Sequence, residues 1–150
     1  MDTTNLDQFS RDVAKLLFTE FPQWQSLAKT ERAEDGTTYL KLDVQTPHES
    51  STACGLSIIT PYSEMIVEFD YYEGHYGGQV GDGGAEAAAG FVIDLVSEKI
   101  PVISWWKDSE LVAWSTIMNG RPLLPSNLVG LHDHVRVRSW KGTLNADYDT

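Results

Sequence analysis

The sequence predicts an α+β fold, a mainly antiparallel sheet of about six strands with two packed helices. Three observations carry that reading. Two stretches repeat apolar residues at spacings of three and four, six short stretches alternate apolar with polar residues, and Gly, Pro, Asn, Asp and Ser collect between them. With 150 residues, 41% of them hydrophobic, the chain can bury a sizeable core without disulfide or metal staples. A single domain over 1–150 is expected, with 142–150 as a mobile tail.

The first helix is predicted over 4–20, where Leu6, Phe9, Val13, Leu16 and Leu17 keep the helical spacing. Thr3, Thr4 or Asn5 can cap its start, and Pro22 ends it, because a proline pushes the preceding residue away from helical angles. In 37–46, Leu40, Leu42 and Val44 alternate with Tyr39, Lys41, Asp43 and Gln45, the pattern of a half-buried strand. Cys54, Leu56 and Ile58 resume it after a polar run. In 64–72, Met65, Val67, Phe69 and Tyr71 oppose Glu64, Glu68, Asp70 and Tyr72, so the three strands read as an antiparallel meander.

Five glycines within 77–84 are too many for a regular element, and they lead into 85–99, where Ala88, Phe91, Val92, Leu95 and Val96 form a helical stripe. Residues 102–106 and 111–118 flank the turn-like 107–110 and predict a hairpin, and 134–141 alternates as a last strand. Trp105 and Trp106 point to opposite faces because strand side chains alternate. The second helix is expected to cover one of them, and the first helix or the 119–127 loop the other.

Eleven Lys and Arg against 22 Asp and Glu give a net charge of -11 and a pI near 4.6. Binding to a phosphate backbone depends on cationic side chains, so nucleic acid is disfavoured as a partner. The charge is also segregated. Between Lys41 and Lys99 there are ten acidic residues and no Lys or Arg, whereas 99–141 holds six basic and three acidic residues. Such a run is either a solvated face or a docking surface for something basic. Cys54 is the only cysteine, which excludes an intrachain disulfide and a two-cysteine metal site, and its place on the apolar side of a strand predicts a buried, inert thiol. The N-terminus lacks the basic and apolar regions of a secretory signal, and no apolar run approaches a membrane span, so a cytoplasmic protein off the membrane is expected.

Candidate chemistry is sparse. The glycine-rich loop sits between a strand and a helix, where backbone N–H groups can cradle phosphate. Gly83-Gly84 is followed by Ala85-Glu86 rather than Gly-Lys-Ser/Thr, and a dinucleotide fingerprint starting at Gly81 would need glycine at Glu86. His132 and His134 share a strand face and could ligate a metal only with a third ligand from elsewhere. The densest stretch is 68–76. Glu68, Asp70 and His75 could do general acid/base work or hold a divalent cation in a small hydrolase or metal-dependent enzyme. Equally, Glu68, Asp70, Tyr72, Glu73, His75 and Tyr76 could form a partner-binding surface, since tyrosine is enriched at interfaces and carboxylates complement a basic partner. An acidic mimic of nucleic acid has the same charge logic. No cofactor or metal is expected on the binding reading.

The strand Glu64-Met-Ile-Val-Glu-Phe-Asp-Tyr-Tyr72, followed by Glu73-Gly74-His75-Tyr76, an amphipathic helix and the strand Pro101-Val-Ile-Ser-Trp-Trp106, resembles small bacterial immunity proteins encoded beside secreted polymorphic toxins. The likeness covers 56–115 and follows the pattern of an acidic V-x-F-D-Y-Y strand leading to H-x-H-aromatic, with Glu73 in place of the first histidine. The resemblance implies stoichiometric inhibition of a cognate toxin inside the producing cell, without catalysis or a cofactor.

Overall fold

The computed structural model describes residues 2–47, 49–78, 83–119, 121–122 and 130–149. The chain divides into two compact units. Met1–Gln45, Leu56–Glu68 and Gly74–Ile93 form the first, and Thr46–Gly55, Phe69–Glu73 and Asp94–Thr150 form the second.

Helix α1 (Gln8–Glu20) opens the first unit. Its cap is Asp7, not one of the earlier polar residues expected, because residues 4–6 are spent in a turn and the Asp7 carboxylate accepts from the Ser10 backbone N–H at 2.8 Å. The helix stops at Phe21, ahead of Pro22. Val13, Ala14 and Leu17 are its buried apolar face, and it packs on β2.

The first sheet has the order β1 (Lys29–Arg32), β2 (Thr38–Val44), β3 (Leu56–Ile59), β4 (Met65–Phe69), β5 (Tyr72–Tyr76). Alternation holds: Leu40, Leu42 and Val44, Leu56 and Ile58, and Met65, Val67 and Phe69 are all buried on one face. Two polar groups enter this core and satisfy each other. The Ser10 and Thr60 hydroxyls lie 2.6 Å apart, and Thr60 Oγ1 also accepts the Leu40 N–H at 2.9 Å, which ties α1 to the sheet. Helix α2 (Gly84–Val96) buries Ala85, Ala88, Ala89, Val92 and Leu95. It ends three residues before the expected 99, where Glu98 takes a left-handed φ of 61°.

The second unit carries a sheet ordered β10 (Ala146–Asp149), β9 (His134–Arg138), β6 (Val102–Lys107), β7 (Glu110–Met118), β8 (Arg121–Pro122), with every pair antiparallel. Ile103, Trp105, Ala113, Val135 and Val137 cluster on one face. The other face carries Ser104 and Trp106, with Arg136 and His134 opposite them on β9.

Among the described residues the fold is α+β, with two α-helices and antiparallel strands as the sequence predicts. All six expected strands are present as β2, β3, β4, β6, β7 and β9, but they are shared between two sheets and joined by four short strands. Those four were not legible because segments such as Lys29–Arg32 and Ala146–Asp149 contain no apolar alternation and are largely exposed. The segment from Gly142, read as a tail, holds β10 on the open edge of β9 through a four-residue register from Ala146↔Val137 to Asp149↔His134. Most of the 119–127 loop lies outside the described residues, and so does its expected cover over a tryptophan.

Candidate functional site

The expected strand over 64–72 breaks at Asp70 and Tyr71, which form the turn between β4 and β5. A two-residue link can only join antiparallel strands. Asp70 takes φ 54°, a conformation Asp tolerates better than most residues. The break redistributes the six predicted binding residues. Glu68 and Glu73 are exposed, and so is His75, whose Nδ1 lies 3.2 Å from Glu64 Oε1. Tyr72 is half-buried, and half-buried Tyr76 stacks on Phe91 at 4.4 Å between ring centroids.

Asp70 was read as outward and is not. Its side chain is only 2% exposed and is held in the second unit by Arg136, with Nη2 2.9 Å from Oδ1 and Nε 3.2 Å from Oδ2. Oδ1 also accepts the Ala53 N–H at 2.8 Å, while Arg136 donates on to the Ser51 carbonyl at 3.0 Å. This fork, planar guanidinium on carboxylate, fixes the 46–55 loop to β9 and the β4–β5 turn. Each residue of the trio proposed for catalysis has its own setting: Asp70 is bound by Arg136, His75 Nδ1 lies 3.2 Å from Glu64 Oε1, and Glu68 is exposed on β4. Among the described residues no three His, Cys, Asp or Glu are placed to hold a metal ion. His134 instead faces two β10 carboxylates, with Nδ1 2.9 Å from Asp149 and Nε2 3.5 Å from Asp147.

Cys54 is a second correction. It lies before β3 rather than in it, is exposed, and donates its thiol to the Asp70 carbonyl at 3.0 Å.

The outer face of the first sheet is where the acidity becomes geometry. Pairing sets Asp43 opposite Ser57 and Ser57 opposite Glu68, so the two carboxylates flank a serine in one row across β2, β3 and β4. Both are exposed, and neither makes an ion pair or a side-chain hydrogen bond with a described residue. The neighbouring row places half-buried Ile59 and Ile66 side by side, with Lys41 next to them.

No family model, curated protein or solved structure matches this chain.

The second unit also has a cavity of about 480 Å³ that sequence reasoning did not locate. Tyr71, Trp106 and Arg136 wall it, with the Tyr71 and Trp106 rings edge to face at 4.6 Å and the Arg136 guanidinium 5.6 Å from the Tyr71 ring centre. The β6–β7 turn supplies Asp108 and Ser109, and Asp133, His134 and Asp149 complete the rim. The Asp108 backbone N–H donates to Asp133, and with help from Lys107 this holds the Asp133 carboxyl below the usual carboxylate range. Alternation puts Tyr71 on the apolar side of its strand and nothing in the sequence pairs it with Trp106; the turn at Asp70 and Tyr71 ends that alternation. The glycine loop's phosphate reading falls on Gly81 and Asp82, which lie outside the described residues.

Proposed function

We propose that this chain is an immunity-type binding protein that neutralises a basic protein toxin stoichiometrically, without catalysis, through the acidic outer face of its first sheet. The observation that carries this reading is the exposed Asp43–Ser57–Glu68 row, set in a stretch between Lys41 and Lys99 that has ten acidic residues and no Lys or Arg. Carboxylates that make no ion pair or side-chain hydrogen bond with a described residue are available to a basic partner, and their field accelerates encounter. Ile59 and Ile66 in the adjoining row offer apolar area that slows dissociation once the charges have aligned the partner. Glu73 and His75 are exposed on β5 and extend the acidic and polar character of the hairpin, whereas Asp70 acts from inside by fixing its turn.

The test is co-expression with the product of the neighbouring gene, comparing wild type with Asp43→Lys/Glu68→Lys. Wild type is expected to protect the cells and the charge-reversed variant to fail at equal abundance. Equal killing with and without the wild-type protein removes this reading for that pair.

A further inference from the structure

The cavity walled by Tyr71, Trp106 and Arg136 lies entirely within the second unit and is not part of the acidic row on the first sheet. Its charge is decided by which groups are already neutralised. Arg136 is the cationic wall, but both its nitrogens facing Asp70 are bound to that buried carboxylate, so the pair presents no net charge to the cavity. Lys107 offsets Asp133 at 3.3 Å, whereas Asp149 is exposed at the rim with its Oδ1 2.9 Å from His134 Nδ1. Asp108 makes no ion pair or side-chain hydrogen bond to a described residue and sits on a two-residue turn with left-handed φ at both Asp108 and Ser109. The cavity thus combines an aromatic corner with a carboxylate rim, and its polarity selects a cation with a flat apolar face.

We propose that this cavity receives a guanidinium group, carried by an arginine side chain of a protein partner. Guanidinium stacks on aromatic rings and is weakly hydrated, and its fork satisfies a carboxylate in plane, three properties an ammonium does not share. Arg136 already shows the mode: its own guanidinium lies 5.6 Å from the Tyr71 ring centre while bonding a carboxylate. The Trp106 indole N–H is occupied by Ser104 Oγ at 2.9 Å, so this ring offers a face and edge rather than a donor, as a cationic guest requires. The inference goes beyond the binding reading above, since it names a second recognition site in the other unit; it rests on that reading only for the basic protein partner, which is what selects a protein-borne arginine over a free small molecule.

The experiment needs no toxin. N-acetyl-arginine amide, its lysine counterpart and its neutral citrulline counterpart are titrated into the ¹⁵N-labelled protein, with the Trp106 indole resonance as the readout. A saturable shift is expected for arginine, a weaker one for lysine and none for citrulline, and Asp108→Asn is expected to weaken the arginine response by about tenfold. Asp43→Asn, on the other sheet, is expected to leave it unchanged. A basic peptide with a central arginine is expected to bind at least as tightly as the amide. Citrulline shifting Trp106 as arginine does, or Asp108→Asn leaving the titration intact, overturns the site. The amide binding while the peptide fails overturns the protein source. None of these outcomes depends on toxin protection, so a failure here is separable from a failure of the immunity reading.

Discussion

Asp70 and Glu98 show how single carboxylates hold the second unit together. Asp70 is buried at a turn that demands positive φ, and its charge is matched by Arg136. Asp70→Asn keeps the turn conformation but leaves the guanidinium under-compensated, so we expect a loss of about 2–4 kcal/mol in denaturant unfolding, whereas Glu68→Gln on the solvated face should change stability by less than about 0.5 kcal/mol. Burial alone would raise the Glu98 carboxyl, but the Ser139 and Thr143 hydroxyls and the Lys141 and Thr143 N–H groups together outweigh it and hold it below the usual range. A carboxyl depressed in the folded state contributes stability above its unfolded pKa and loses it as pH falls through the folded value. Wild type should therefore lose more stability than Glu98→Gln between about pH 5 and pH 2, measured by melts across that range. Neither role was legible beforehand. Asp70 continued an alternation broken only at Ile66, so its reversal depended on a turn that no glycine or proline announced, and Glu98 acts on residues more than forty positions away.

At the scale of elements, the strands with strong alternation were readable and those without it were not. β2 and β4 owe their positions to apolar residues on one face, which the order of residues displays directly, whereas β6 is buried on both faces from Val102 to Trp105. β5 and β10 exist because a neighbouring strand offers an open edge, a cause that lies outside their own residues. The β6–β7 hairpin places Asp108 and Ser109 at φ 50° and 68°, the conformation for which Asn-Gly is the preferred pair. Ser109→Gly should stabilise the protein by about 1 kcal/mol, read as a shift in urea midpoint at constant slope. The paired tryptophans separate in the same experiment. Trp105 is 3% exposed within the apolar cluster, and its change to Ala should cost about 3–5 kcal/mol. Trp106 is half-buried against Tyr71, so Trp106→Ala should cost roughly 1–2 kcal/mol, less than the equal losses that two covered tryptophans would give.

For the molecule as a whole, charge is the property that reached from sequence to surface with least loss. The acidic stretch between Lys41 and Lys99 was visible in composition, but its arrangement was not, because strand register decides that Asp43 and Glu68 share a row while Asp70 is withdrawn to Arg136. The enzymatic trio and the binding surface drew on the same residues of 68–76, which the turn at Asp70 and Tyr71 divides between β4 and β5. The measurement that bears most directly on the proposed function is survival of cells co-expressing the neighbouring gene's product with wild type or with Asp43→Lys/Glu68→Lys. Protection by wild type and its loss in the variant, with both proteins folded and equally abundant, is the expected result. Full protection by the charge-reversed protein would contradict the assignment of the acidic row as the toxin-binding face.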